Sequence, residues 1–200
     1  MDYTLSDMMH GRHSRGHLTE AQTKAIAFLT LHALVDLHDR IGMVHADLSP
    51  SNIFLRATGE LKLGDLSSAI PVDAAVDYFS GTFLYAAVEV LKDRQLASNP
   101  SSDIWALGVT LHECVSGRHP FAEASCGNFW EFLSLLETAM RAGRQPVRLP
   151  RISQGFYHVL SAMLRWDPAQ RPSARSLLKH MWFSQYNVTS AQRELCIVSP

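Results

Sequence analysis

The sequence predicts a mainly α-helical domain, α+β overall, with a small β-hairpin among its helices. Hydrophobic residues make up 46% and charged residues 18% of the 200 residues, which is enough apolar material for one domain with a real core. Apolar side chains recur at helical spacing both before and after the middle of the chain. Two short apolar segments near residues 53–63 flank a glycine-containing turn, a pattern typical of a hairpin.

The first long helix is predicted to begin after Thr19 and to run to about Asp39. Thr19 and Gln22 have the spacing of a capping box, in which each side chain satisfies a backbone donor at the helix start. Gly42 is expected to end the approach to a short apolar segment. The apolar residues that share one face of this helix, and should be buried, are Ile26, Leu29, Ala33, Leu34 and Leu37.

The hairpin is predicted to pair residues 53–55 with residues 61–63. Thr58-Gly59-Glu60 between these two segments is typical of a turn. Residues 64–100 are expected to be irregular, apart from a helical turn at about 88–93. An irregular stretch of that length inside a compact domain is more often functional than idle.

The second half of the chain is predicted to be helical around one core helix. Ser101 or Ser102 is expected to cap a helix over 103–116, which Gly117 ends. This helix is apolar on most sides, so it should lie in the core. The tail after residue 183 is expected to be loosely attached. Three more helices are expected, at about 128–142, 153–165 and 173–181.

Composition and charge indicate which kinds of partner and which cellular compartment to expect. The formal net charge is −1, which gives no general attraction to nucleic acid. No apolar run reaches 18 residues and no leader-like segment begins the chain, so no membrane association is expected. Cys114, Cys126 and Cys196 are odd in number and far apart, which favours neither a disulfide framework nor a zinc site. A cytoplasmic location is the default, and the nucleus stays open.

The segment from His45 to Asn52 carries the residue types that phosphoryl transfer requires. That reaction needs an acceptor for the proton of the incoming hydroxyl and oxygen ligands that hold Mg²⁺ against the phosphates. Asp47 can supply the acceptor. Asn52, five residues later, and Asp65, just after the predicted hairpin, can supply metal-binding oxygens.

In this segment and in several later ones, the sequence resembles the eukaryotic protein kinases, in particular their serine/threonine branch. Residues 45–52 resemble the catalytic loop H-R-D-L-x-x-x-N, and Asp65-Leu66-Ser67 stands where the family has D-F-G. Residues 81–89 resemble the end of an activation segment, G-T-x-x-Y…A-P-E. Residues 103–108 and 167–172 follow in the family's order. The resemblance covers residues 1–183 and implies the C-terminal lobe of a kinase, with 184–200 as a C-terminal tail.

The resemblance implies a role for each matching residue. Asp47 would be the catalytic base, and Thr82 would hydrogen-bond toward it. Asn52 and Asp65 would bind Mg²⁺, and Phe54 would lie under the adenine ring of ATP. The implied cofactors are therefore ATP and Mg²⁺, and the implied partner is a protein substrate.

Three further residues are expected to hold the lobe together. Glu89 and Arg171 would form a buried ion pair between the activation segment and the late helices. Asp103 would accept hydrogen bonds from the backbone of the catalytic loop, although a simple role at the start of its helix is compatible with that. Loss of one partner of a buried ion pair costs about 3–5 kcal/mol.

The sequence also departs from the family's pattern. Ala46 replaces an arginine that in many relatives binds a phosphate on the activation loop, and Ser49 replaces a lysine near the transferred phosphate. Leu66 replaces the phenylalanine of D-F-G, a mild change. Ser67 replaces its glycine and restricts the backbone after the metal-binding position. Val88 replaces the proline of A-P-E.

Three interpretations remain open at this stage. The 44 residues before His45 read as a loop and one long helix, without a glycine-rich loop or V-A-I-K lysine, so the N-terminal lobe is expected to be absent. The first interpretation is a serine/threonine kinase, inactive alone, whose N-terminal part is missing from this sequence by truncation or through an incomplete gene model. The second interpretation is a pseudokinase-like scaffold that binds a partner protein. The third is a helical interaction domain whose motifs arose by chance.

Overall fold

The computed structural model describes residues 1–11, 16–75, 81–121, 128–144, 147, 149 and 151–196, and it confirms the mainly helical prediction. Cys126 lies outside the described residues. No described helix combines the length and the apolar character needed to cross a membrane. The helices are α1 (Leu5–His10), α2 (Glu20–Val35), α3 (Val88–Lys92), α4 (Ser101–Ser116), α5 (Phe129–Arg141), α6 (Gln154–Met163), α7 (Ala174–Leu178) and α8 (Val188–Leu195).

The strands form two small antiparallel sheets. The predicted hairpin is confirmed, with Ile53 opposite Leu63 and Leu55 opposite Leu61. The strands are β1 (Tyr3–Thr4), β2 (Met43–Val44), β3 (Ile53–Leu55), β4 (Leu61–Leu63) and β5 (Ile70–Pro71). β1 adds to the free edge of β3, and β2 pairs with β5.

Short 3₁₀ turns occupy the long stretch that was predicted to be irregular, together with β5 and α3. These turns put the backbone through sharp changes of direction without a long helix or strand. In the whole described chain the 3₁₀ turns are Pro50–Asn52, Leu66–Ser68, Phe83–Tyr85, Arg94–Ser98, Pro168–Gln170 and Met181–Phe183.

Helix α2 begins where its sequence predicts, but its α-helical part ends at Val35, four residues before the predicted end at about Asp39. The Thr19 hydroxyl accepts the backbone N–H of Gln22 at 3.2 Å, and the Gln22 side-chain oxygen accepts the N–H of Thr19 at 3.0 Å. After Val35 the chain continues as a π-helical turn, Asp36–Ile41, and ends at Gly42 with φ 74°. Only glycine adopts that left-handed conformation without cost, so Gly42 redirects the chain toward the catalytic-loop segment.

Helix α4 is the core of the lobe. Every residue from Ser102 to Cys114 is buried, and Gly117 ends the helix with φ 69°. The expectation that Ser101 or Ser102 caps this helix is wrong, because both lie in its first turn. Instead the Asn99 side chain accepts the N–H of Ser101 at 2.9 Å.

Strand β1 and helix α1, at the start of the chain, were not predicted. Thr4 caps α1, where its hydroxyl accepts the Asp7 N–H at 3.1 Å and the Asp7 carboxylate accepts the Thr4 N–H at 2.8 Å. Leu5 and Met9, four residues apart, are fully buried. The threonine–aspartate spacing was the signal that could have identified this helix.

The expectation of a loosely attached tail is wrong for residues 188–195. Helix α8 packs against α2, and its Ala191 and Leu195 side chains belong to the main hydrophobic core. Its backbone also lies against the hairpin turn. A Cβ on Gly59 would lie 2.0 Å from the carbonyl oxygen of Gln192, so only glycine fits there. Helix α8 therefore supports the hairpin that joins Asn52 to Asp65.

We predict that Gly59→Ala destabilises the protein much more than Gly143→Ala. Both glycines have positive φ (85° and 60°), so alanine pays the left-handed cost of about 1–2 kcal/mol at either position. Only Gly59 contacts α8, since a Cβ on Gly143 would have no neighbour within 4 Å. The Tm of Gly59→Ala should be at least about 5 °C below that of Gly143→Ala, as a further loss of about 2 kcal/mol implies. Equal melting temperatures would show that α8 does not brace the turn.

Candidate functional site

The Asp47 carboxylate is held by two donors from different parts of the chain. Its Oδ1 accepts the backbone N–H of Thr82 at 2.6 Å, and its Oδ2 accepts the Asn52 side-chain Nδ2–H at 3.0 Å. The structure therefore brings together Asp47, Asn52 and Thr82, as the sequence proposed. The contact from Thr82 is made by its backbone amide.

Asn52 presents its amide oxygen away from these contacts. Its Nδ2 donates both to the Asp47 carboxylate and to the Asp47 carbonyl oxygen, the latter at 2.7 Å. Two acceptors on one side fix the orientation of the amide, because only nitrogen can donate. Within the described residues the Asn52 Oδ1 accepts no hydrogen bond, so it is available as an oxygen ligand.

Asp65 lies at the end of β4, with its side chain exposed. Its backbone is left-handed, with φ 52°, and the residue caps the 3₁₀ turn that follows. Its Oδ1 accepts the Ser67 hydroxyl at 2.6 Å and the Ser67 N–H at 3.3 Å. These two hydrogen bonds, the hydroxyl's first, hold the pKa of Asp65 below its usual value, and the nearby His45 adds a smaller effect. The carboxylate is therefore ionised at neutral pH.

Gly64, which the sequence analysis missed, joins the parts of the site. Its N–H donates to the Asn52 carbonyl at 3.0 Å, and its carbonyl lies 3.0 Å from the His45 Nε2. A Cβ on Gly64 would lie 2.5 Å from the Phe54 ring, so glycine leaves the space that this ring occupies. Asp65 and Phe54 are thus connected to the Asp47 loop through one residue. The one feature of the sequence that could have indicated this role of Gly64 is its position directly before Asp65.

The segment from His45 to Asn52 is fixed by the buried carboxylate of Asp103 in α4. The backbone N–H groups of His45 and Ala46 donate to its two oxygens at 2.8 and 3.0 Å, which confirms the predicted contact. His38 adds a third partner, with Nε2 2.8 Å from Oδ2, and this was not predicted. Asp103 is only 1% exposed, so it needs all three partners. Ala46 takes the strained φ of 62° between them.

The predicted ion pair between Glu89 and Arg171 is present and buried. The guanidinium binds both carboxylate oxygens, with Nη2 3.0 Å from Oε2. Its remaining N–H groups donate to the carbonyl oxygens of Arg165, Ser101 and Trp166. All five donors of Arg171 are therefore satisfied, and its side chain is fully buried.

Two side chains anchor the segment that carries Thr82. The His119 Nε2 lies 2.8 Å from the Leu84 carbonyl, and the Tyr85 hydroxyl donates to the Glu113 carboxylate at 2.7 Å. Burial, followed by the charge of Glu113, raises the pKa of Tyr85 far above its usual value. Tyr85 therefore stays protonated and remains a donor.

The oxygens of the site are of the type that suits Mg²⁺, whereas position 49 supplies no cation for a phosphate. Asn52 Oδ1 and Asp65 Oδ2 are hard oxygen donors, the type that Mg²⁺ takes from proteins together with phosphate and water. In the part of the chain that the structure describes, three or more His, Cys, Asp or Glu side chains nowhere form a metal cluster. Ser49 is buried and supplies no charge.

Comparison of the sequence with a family profile and with individual proteins leads to the same family. The sequence profile of the protein kinase domain matches residues 1–183. Mitogen-activated protein kinase kinase 1c of Physcomitrium patens is 32% identical over 188 residues, which cover 92% of this chain and 53% of that protein.

Two further relatives are kinases from animals. The ovarian-specific serine/threonine-protein kinase Lok of Drosophila melanogaster is 33% identical over 185 residues, covering 88% of this chain and 37% of that protein. Sperm motility kinase 2A of Mus musculus is 29% identical over 191 residues, covering 92% of this chain and 36% of that protein. The chain thus spans between about a third and about half of the length of these relatives.

We predict that Arg171→Ala destabilises the protein strongly, because it leaves the Glu89 carboxylate and three carbonyl groups without a partner. The expected loss is about 3–5 kcal/mol, or roughly 6–20 °C in Tm. Arg175→Ala is the matched control, since Arg175 binds Asp39 at 2.8 Å with both side chains exposed. That substitution should cost less than about 1 kcal/mol. A Tm for Arg171→Ala equal to that of the parent would contradict the role of the buried pair.

We predict that His119 makes the folded state less stable as the pH falls. Burial lowers the pKa of His119, while its hydrogen bond to the Leu84 carbonyl partly opposes the shift. The unfolded chain therefore takes up this proton more readily, and stability falls as the pH drops below about 6.5 toward the lower pKa of the folded state.

His119→Gln keeps a donor for the Leu84 carbonyl but cannot titrate, so the fall in unfolding free energy between pH 7 and pH 5 should be shallower. Urea denaturation at several pH values measures this slope. His112, whose pKa burial lowers to about 4, titrates in both proteins. The charge of His119 adds a smaller lowering of the His112 pKa, so its removal also makes the slope shallower. His158→Gln, at an exposed side chain, serves as the control substitution. An unchanged slope in His119→Gln would refute the prediction.

Proposed function

Because the chain belongs to the eukaryotic protein kinase family, we propose that it is the substrate-side lobe of a serine/threonine kinase, which transfers phosphate from Mg-ATP to a protein hydroxyl. The carrying observation is the Asp47 carboxylate, held between the Thr82 N–H and the Asn52 amide. A carboxylate fixed in this way can orient an incoming hydroxyl and accept its proton without searching for its position.

The other site residues would then divide the work of binding. Asn52 and Asp65 would hold Mg²⁺, which neutralises charge on the phosphates when it is bound. Phe54, supported by Gly64, would form one wall for the adenine ring. Each carboxylate oxygen of Asp47 already accepts one hydrogen bond and keeps a lone pair for the substrate hydroxyl.

The surroundings of Asp47 also bear on regulation. Ala46 carries no guanidinium, so a phosphorylated activation segment would find no bidentate partner at this position. Asp103 and the backbone of Ala46 fix the loop without such a partner. We therefore propose that Asp47 is oriented independently of activation-segment phosphorylation. The proposed location is cytoplasmic.

A second candidate function is a pseudokinase-like scaffold for a partner protein. It is favoured by the hydrogen bonds that already engage one oxygen of Asp65 and by the missing cations at Ala46 and Ser49. In either function the wall of the cleft that faces the nucleotide would come from an N-terminal lobe or from another chain.

We predict that Asp47→Asn lowers the rate of phosphotransfer at least about 100-fold. The protein to assay is the longest translation product of the coding sequence that includes residues 1–200. The assay is transfer of labelled phosphate from Mg-ATP to a basic protein. Asp36→Asn, in an exposed surface pair with Arg40, is the matched control and should keep full activity. Both variants should unfold at the parent temperature.

The outcomes separate the candidate functions. Undiminished transfer by Asp47→Asn would refute the role of Asp47. No transfer by the parent, together with binding of a protein partner, would favour the scaffold. The 200-residue chain alone should show negligible transfer, and robust phosphorylation by it would contradict the need for a second lobe.

A further inference from the structure

The Ser67 side chain engages one particular oxygen of Asp65. Its hydroxyl and its backbone N–H both donate to Oδ1, at 2.6 and 3.3 Å. Among the described residues, no donor reaches Oδ2. A carboxylate oxygen has two lone pairs, so two donors on Oδ1 occupy that atom and leave Oδ2 as the open one.

This arrangement is fixed before any cation binds. Asp65 caps the 3₁₀ turn Leu66–Ser68 with φ 52°, and the Ala69 N–H closes the turn on the Leu66 carbonyl at 3.1 Å. The backbone therefore places the Ser67 N–H and hydroxyl on the same side of the carboxylate. The short hydroxyl contact is a charge-assisted hydrogen bond, which is stronger than one between neutral groups.

The number of open oxygens matters because divalent cations use carboxylates differently. Ca²⁺ is large, takes six to eight oxygens and readily binds both oxygens of one carboxylate. Mg²⁺ is small, demands octahedral geometry and normally takes one oxygen from each carboxylate. A carboxylate with one oxygen already engaged suits Mg²⁺ better than Ca²⁺.

We propose that Ser67 is a specificity-determining residue that makes Asp65 a single-oxygen ligand and so favours Mg²⁺ over Ca²⁺. This inference rests on the proposed function, in which Asp65 holds the metal. A glycine at this position would provide the N–H but not the hydroxyl. Ser67 acts through Asp65 and need not touch the metal itself.

Competition against Mn²⁺ tests the proposal without any activity measurement. The concentration of free Mn²⁺ is measured by electron paramagnetic resonance in the presence of the 200-residue chain. Mg²⁺ or Ca²⁺ is then added, and the release of bound Mn²⁺ gives the affinity of each competing cation. In Ser67→Ala, which removes only the hydroxyl, the ratio of Ca²⁺ to Mg²⁺ affinity should rise about five- to tenfold. Ser67→Thr keeps a hydroxyl and should restore the parent ratio.

Asp65→Asn separates failure of this proposal from failure of the proposed function. If the parent binds no Mn²⁺, or if Asp65→Asn binds it as the parent does, the metal-binding role given to Asp65 in the proposed function falls, and the role of Ser67 falls with it. If binding requires Asp65 but Ser67→Ala keeps the parent ratio, only the role of Ser67 is overturned. Thermal unfolding of each variant checks its fold, and only a small loss is expected because both side chains are exposed.

Discussion

The buried carboxylate of Asp103 is the interaction on which the rest of the site depends. A carboxylate buried inside α4 is tolerable only if several donors reach it, and the His45 and Ala46 backbone amides and His38 supply them. These bonds fix the loop that carries Asp47, although no regular helix or strand lies there. A buried polar group that would be costly alone thus makes an irregular segment rigid, which supports the proposed role of Asp47 in proton transfer.

A second buried charge, that of Arg171, stabilises the part of the chain that contains Thr82 and α3. Arg171 satisfies all its donors on Glu89 and on three carbonyl oxygens, so α3 and the late helices are locked to one another. Thr82 reaches Asp47 through its backbone, which makes this contact independent of the side chain at position 82. The two segments meet at the Asp47 carboxylate. Helix α8 contacts the turn of the neighbouring hairpin at Gly59.

The sequence could predict the elements whose signals are local. The capping box of α2, the hairpin and the apolar helix α4 all follow from patterns within a few residues. Helix α8 was not predicted because only two of its residues, Ala191 and Leu195, are buried, and two apolar positions are too few to form a periodic pattern. It is held in place by contact with α2 and with Gly59, which are distant in sequence. The sequence also missed Gly64, since nothing local marks its contact with Phe54.

The sequence by itself determined which chemical groups are present and how closely they follow one another. Asp47 and Asn52 are five residues apart, so a single tight loop brings them together, and the ordered motifs identify the family. Only the tertiary structure decided which atoms meet: the backbone amide of Thr82, 35 residues from Asp47, and the one open oxygen of Asp65. The physical reason is that a hydrogen bond depends on the position and direction of single atoms. Those are set by the packing of the whole lobe, whereas spacing along the chain sets only what is near.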